Sequence, residues 1–291
     1  MTSRALAIVR SPGLAAWTLV LVAVAAVAGP ALTGIDGSMQ DLPRNLEGPS
    51  LAHPLGLDRL GRDQLVRILA GARVSLAVGA CSLVISLIFG TAYGAVAGYR
   101  GGRLDTVLMR VVDVFLAFPG LLLAIALAAA LGPGLASVVV ALSVSGWTPY
   151  ARVVRAEVLA LHRREHVVAA RALGLAPARV LCVHMLPSLA GPLAVQATFG
   201  FAAAIVAESS LSFLGLGVQP PTPSWGSMLA DARSFVLVAP HLVVFPGLAI
   251  TTTVLALNLL GDRLRDRLDV GRPSLVVNAG SAGSRNSTVA R

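Results

Sequence analysis

Three groups of residues in this chain have the types and spacing to do chemistry. His162-Arg163-Arg164-Glu165-His166 matches H-x-x-E-H, the inverted zinc-protease pattern. On one continuous helix the two imidazoles would share a face, with Glu165 as a base. Against this, Arg163 and Arg164 put positive charge inside the ligand set, and His184 is the one conceivable third ligand. A short match in a chain with five histidines is weak, so no metal site is expected. The second group is Asp113 and Glu208, carboxylates within apolar stretches, where an ionisable group marks a path or relay by default. Asp113 follows Arg110 by three residues, which favours a structural ion pair. Glu208 either lines a path, where it could meet an amino group or a metal, or is hydrogen-bonded within a bundle. As relay groups the two would make a proton-coupled transporter acting alone. The third group, Cys81 and Cys182, lies in unlike settings without metal spacing and reads as two inert thiols.

The elements that must position these residues are apolar. The 291 residues are 56% hydrophobic and 13% charged, with a mean hydropathy of +0.79. A soluble domain would carry about 25% charged residues. The basic residues are all arginine and the net charge is +9. They sit in short turns without interleaved aromatics, which argues against nucleic acid and for membrane topology. Six stretches are long enough to cross a bilayer: Leu14–Leu32, Val74–Gly98, Thr106–Leu131, Leu135–Tyr150, Pro192–Phe213 and Phe235–Leu260. Lipid satisfies no backbone group, so they should be helices. The first is read as a retained span, not a cleaved leader, because of its apolar length. The fold expected is all-α, a polytopic membrane protein of six transmembrane helices.

With the N-terminus inside, the inner segments hold 17 of the 23 arginines and the outer segments 6. That bias places both termini and the long loop between spans four and five in the cytoplasm. The organisation expected is a first span within residues 1–32, an external segment 33–73 with an amphipathic pre-membrane helix from Arg62, a core over 74–262, and a tail 263–291. The tail from Gly271 is rich in Gly, Ser and Asn and reads as disordered. Its Asn286-Ser287-Thr288 sequon is on the wrong side to matter. Gln219-Pro220-Pro221-Thr222-Pro223 should form a rigid outer turn. Gly90, Gly94 and Gly98 leave a bare strip on one helix face, for packing inside the chain more than for a subunit interface. Asp105 reads as a solvated charge at a helix start.

The loop over 152–187 carries its own instructions. Glu165 to Leu173 are helix formers, and the small Ala169, Ala170 and Ala172 allow close approach to a partner surface. Gly174 is a natural stop, Pro177 can open a second helix, and Pro187 ends or kinks it. The prediction is a short capped helix tied rigidly to spans four and five, able to transmit force.

These residues resemble the signature loop of binding-protein-dependent ABC importer permeases: Glu-Ala-Ala, three residues, Gly, a spacer, then Leu-Pro. Ala169, Ala170, Gly174, Leu186 and Pro187 match that spacing, while Val168 stands where the family usually has Glu. His53 to Asp63 with Gly71 to Leu76, Met109 to Asp113 with Ala117-Phe118-Pro119, Leu211 to Gly226, Phe245-Pro246-Gly247 and Asn258 to Asp262 look like dipeptide/oligopeptide/nickel permeases of the C-subunit type. The match runs from Leu51 to Asp269 in the right order. The resemblance implies a transport subunit, not an enzyme, with a coupling helix between the fourth and fifth spans. Glu165, Val168, Ala169, Ala170, Arg171, Gly174, His184, Leu186 and Pro187 would then face the motor. It implies as partners a second related permease, two cytoplasmic ATPases that hold the ATP and Mg, and an external solute-binding protein, with membrane lipid around the spans of this chain. A chain without lysine can form no phosphate loop of its own. By the same resemblance the solute is a peptide or a related compound such as a nickel chelate.

Overall fold

A computed structural model describes residues 12–32 and 39–269. The basic start with Arg4 and Arg10, and the tail from Gly271 with its sequon, lie outside the described residues. Within them every regular element is a helix, with a single isolated bridge between Leu57 and Asp63 and no strand. The main helices are α1 (Pro12–Leu32), α2 (Gln64–Arg100), α3 (Gly102–Ala117), α4 (Gly120–Leu131), α5 (Leu135–Gly146), α6 (Thr148–Leu161), α7 (Glu165–Ala172), α8 (Ala190–Phe213), α9 (Trp225–Ala232) and α10 (His241–Asp269). Three helices are long and apolar enough to cross a membrane, beginning at Gln64, Pro177 and His241. The α3–α4 pair adds a fourth if it is counted as one broken span.

The expected spans differ from these helices where proline and capping intervene. Asp63 caps α2 by accepting the Val66 N–H at 3.1 Å. No proline follows, so the amphipathic segment expected before span two is the first turns of one 37-residue helix. At about 1.5 Å per residue that helix is roughly 55 Å long and overshoots a hydrocarbon layer of about 30 Å. The third expected span, Thr106–Leu131, is broken: α3 and α4 meet at 84°. Pro119 has no N–H and drives Phe118 into extended geometry (φ −92°, ψ 135°), which ends α3. The fourth does not stop at Tyr150. It continues as α6 to Leu161 after an interruption at Trp147, because Pro149 cannot donate back to Ser145. Trp147 holds that joint with its ring against Phe89, Tyr93 and Phe115, at centroid separations of 5.0, 4.7 and 5.4 Å. The sixth begins at His241, since Phe235 belongs to a 3₁₀ turn, and runs on to Asp269. Residues 263–269 are therefore helical and not part of a loose tail; Leu268 lies over Gly191 at the start of α8.

α2 is the hub, packed against α1, α5, α6 and α8. Its glycine strip faces α6. A methyl at Gly90 would run into the Trp147 carbonyl and Tyr150, one at Gly94 into the Ala151 backbone, and one at Gly98 into Val158. α2 also repairs two helices that proline has opened. Pro30 cannot donate to the Ala26 carbonyl, and Arg73 Nε fills it at 2.5 Å while its other arm donates to Val27 O. Pro246 leaves the Leu242 carbonyl free, and Gln64 Nε2 donates to it at 3.4 Å. Outside the bundle, Asp58 accepts the Leu60 and Arg62 N–H groups and pairs with the Arg62 guanidinium at 2.7 Å. Arg59 reaches Asp231 on α9 at 3.2 Å, so charge pairs fasten residues 58–62 onto the helix ends.

Candidate functional site

The loop after α6 folds as a short helix set on a core of its own. Arg164 turns the chain in extended geometry (φ −77°, ψ 138°) and α7 follows. Gly174 adopts φ +76°, which L side chains rarely adopt. Its N–H bonds to Arg171 O at 3.0 Å, and the Leu175 N–H bonds to Ala170 O at 3.3 Å, the two bonds of a Schellman cap. Leu175 packs on the cluster that contains Ala170, which supplies the apolar contact that goes with this cap. Val167 and Ala170 are buried with Ala95 of α2, Val154 and Val158 of α6, and Val180, Met185 and Leu189 of the return strand of chain. Glu165, Val168, Ala169, Arg171, Ala172 and Leu173 are exposed.

Ala169 and Ala170 thus lie on different faces. Ala170 holds α7 to the bundle, and Ala169 stands outward with Val168 (52% exposed) and Leu173 (82% exposed). Arg163, Arg164, Arg171 and Arg179 are exposed around that outward face. After Pro177–Arg179 the chain widens into a π-turn over Val180–Met185 and tightens into a 3₁₀ turn over Leu186–Leu189. Pro187 is the cause, since it has no N–H for Val183 O and its ring crowds that carbonyl. His184 and Leu186 are half-buried, and Pro187 is exposed.

The H-x-x-E-H residues do not share a helix. α6 ends at Leu161, and Arg163-Arg164 form a turn before Glu165 begins α7. The one-face geometry expected of His162 and His166 is therefore absent, and no cluster of three metal-type ligands occurs among the described residues. His162 instead stacks obliquely on Tyr99 at 5.3 Å. Burial, and then the nearby charge of Arg171, push its imidazole below the ordinary value of 6.5.

The two carboxylates are each committed within the bundle. Asp113 pairs with Arg152 of α6 at 2.7 Å, not with Arg110, because α6 lies across this face of α3. Asp105 is not a solvated charge. It is 8% exposed and takes a two-pronged bond from Arg155, Nε to Oδ1 at 2.5 Å and a terminal nitrogen to Oδ2 at 2.6 Å. Together the two pairs staple α3 to α6. Glu208 is fully buried, accepts the Ser212 hydroxyl at 2.7 Å, and has the Ser209 hydroxyl 3.4 Å away. Gly226 at the start of α9 packs against Ser209 and Ser212 so closely that a methyl there would collide.

A cavity of about 660 Å³ opens between α2, α4, α5, α6, α8 and α10, and neither Glu208 nor Asp113 lines it. Its polar lining comes from residues that the sequence reading passed over, among them Ser82, Tyr150, Gln196 and Asn258. Gln196 and Asn258, lone amides inside long apolar runs, were the available signal.

The comparisons with known proteins agree with this architecture. Residues 90–271 match the family model described as binding-protein-dependent transport system inner membrane component. The chain is 48% identical over 229 residues to the glutathione transport system permease protein GsiD of Pectobacterium atrosepticum, covering 79% of this chain and 76% of the relative. It is 44% identical over 244 residues to the dipeptide transport system permease protein DppC of Alkalihalophilus pseudofirmus, covering 84% and 80%. A putative peptide transport system permease protein of Brucella suis is 45% identical over 270 residues, 92% of this chain and 90% of that one. Among solved structures, a chain from inward-facing conformations of the MetNI methionine ABC transporter superposes with a TM-score of 0.56 at 18% identity, over 68% of this chain and 95% of that chain, a likeness of fold. The chain belongs to the family of inner membrane components of binding-protein-dependent transport systems.

Proposed function

We propose that this subunit imports peptides or closely related solutes, and that α7 is the point at which ATP-driven motion enters it. The observation that carries the reading is the Schellman-capped α7. It is fixed from behind by Val167 and Ala170, and it presents an outward face of Val168, Ala169 and Leu173. A rigid peg on the end of α6 suits the transmission of displacement. Peptide-type solutes are supported by the relatives' names, which span dipeptides, glutathione and peptides. In this reading the partners are a second related permease, two ATPases that hold ATP and Mg, and an external binding protein. The six crossings are α1, α2, the α3–α4 pair, α5 with α6, α8 and α10, with both termini and α7 on the inner side. Closure of the ATPases swings α6, and the bundle alternates between outward and inward access as a rigid-body change. Val168 occupies the position usually held by Glu in the signature, so the grip rests on shape and apolar contact.

The test is Gly174→Val in the reconstituted complex. A β-branched residue in the left-handed conformation costs about 1–2 kcal/mol or more and would open the cap. We expect ATP hydrolysis to continue while uptake falls at least several-fold. Wild-type uptake per ATP in that variant would remove α7 from the coupling role.

A further inference from the structure

α3 is held to the bundle by one face and leaves the other open. Val112, Met109 and Phe115 pack with Trp147, Ala151 and Tyr93, and Tyr93 donates its hydroxyl to Leu108 O at 3.0 Å. The opposite face is exposed. Arg103, Val107, Arg110 and Val114 run along it in one line, since residues three and four apart share a side of a helix. Leu104 and Val111 flank that line and are exposed too.

The charge left on this face has one sign. The two carboxylates of α3, Asp105 and Asp113, are taken by Arg155 and Arg152 of α6. Among the described residues no carboxylate pairs with Arg103 or Arg110, nor with Arg100, which stands exposed at the end of α2. These cations are not neutralised by the chain itself.

The neighbouring helix shows what lies against them. α4 has the sequence GLLLAIALAAAL, without a charged or polar side chain, and belongs in hydrocarbon. α3 carries Arg103, Asp105, Arg110 and Asp113, and an exposed charge is expensive there. The 84° elbow at Phe118–Pro119 turns α3 off the line of α4 and keeps it in the headgroup layer. Across that elbow the exposed apolar surface is continuous, from Val111 and Val114 through Phe118 to Leu121 and Leu122. Arginines set among aliphatic side chains beside an apolar span are the pattern of a helix at the membrane surface. The arginine stems can lie along acyl chains while each guanidinium fork meets a phosphate. An acidic protein surface would answer the arginines alone, and the apolar line running on into α4 favours lipid.

We propose that the open face of α3 is a lipid-binding surface that recognises anionic phospholipid headgroups through Arg103 and Arg110, with Arg100 beside them. It is a property of the helix and its elbow and stands apart from the import role proposed above.

The experiment is fluorescence quenching by brominated lipid. The emission that Val107→Trp adds to that of the wild-type complex is followed in vesicles of phosphatidylcholine and phosphatidylglycerol, with bromine on the acyl chains of one lipid or the other. A basic residue at an anionic surface is worth about fivefold. Phosphatidylglycerol should therefore occupy the site at least about fivefold more readily than phosphatidylcholine at equal mole fraction. Adding Arg103→Gln and Arg110→Gln together should bring that preference down to about one. Equal quenching by the two lipids before those changes, or an undiminished preference after them, would overturn the headgroup recognition. Quenching by neither lipid would mean that protein covers α3 and would overturn the lipid assignment altogether.

Discussion

At the scale of the residue, location decided what each ionisable group does. Asp113 and Asp105 form the two charge pairs that join α3 to α6, and they differ in worth. The Asp113–Arg152 pair is half exposed and contributes about 0–1 kcal/mol. The two-pronged Asp105–Arg155 pair is better shielded and its geometry adds direction as well as energy. His162 gives a prediction at this scale. Its folded value is lowered by burial and then by Arg171, so the unfolded chain binds the proton more readily than the native loop does. Stability is therefore full above about pH 6.5, and is lost as the pH falls from there toward the lowered native value. Hydrogen exchange of the α7 amides should quicken on acidification from pH 7.5 to 5.5, beyond the intrinsic pH effect. His162→Phe, which keeps the ring against Tyr99, should remove that increment; an unchanged increment in the variant would assign it elsewhere.

At the scale of the element, proline sets the breaks and α2 mends two of them. The Phe118–Pro119 elbow, the Trp147 joint and the π-turn before Pro187 each follow from a missing N–H. Where the freed carbonyls of Ala26 and Leu242 face the bundle, Arg73 and Gln64 supply the donor. Away from water an unfilled carbonyl has no other recourse. Arg73→Leu and Gln64→Leu should each lower stability in detergent by about 1–3 kcal/mol, with Arg73→Leu the larger because it loses two acceptors. Thermal unfolding of the purified variants checks this. The order would reverse if α1 were only loosely held to α2.

At the scale of the whole molecule, the fold is that of the membrane component of a transport system. Charge pairs over residues 58–67, a cavity lined by no charged side chain among the described residues and an exposed α7 suit the transport role proposed above. The contrasting architecture, a proton-driven transporter acting alone, needs carboxylates that meet the path, and here Glu208 and Asp113 are spent on serines and an arginine. This chain alone in proteoliposomes should therefore show no uptake of alanylalanine under an imposed pH gradient, and the complete ATP-supplied complex should. Gradient-driven accumulation by the isolated chain would restore the relay reading.

The sequence by itself determined the helical class, the approximate places of the apolar helices and the capped loop, because these rest on local chemistry: apolar length, glycine at a left-handed position, and proline without an N–H. It marked Gly90, Gly94 and Gly98 as a strip but could not name Tyr150 and Ala151 as what fills it. Only the tertiary structure decided that Asp113 meets Arg152, that Asp105 is buried, that Ala170 faces inward while Ala169 faces out, and that the cavity draws its lining from Ser82, Tyr150, Gln196 and Asn258. Those are contacts between residues far apart in the chain, and their partners are chosen by how helices cross, which no local pattern encodes.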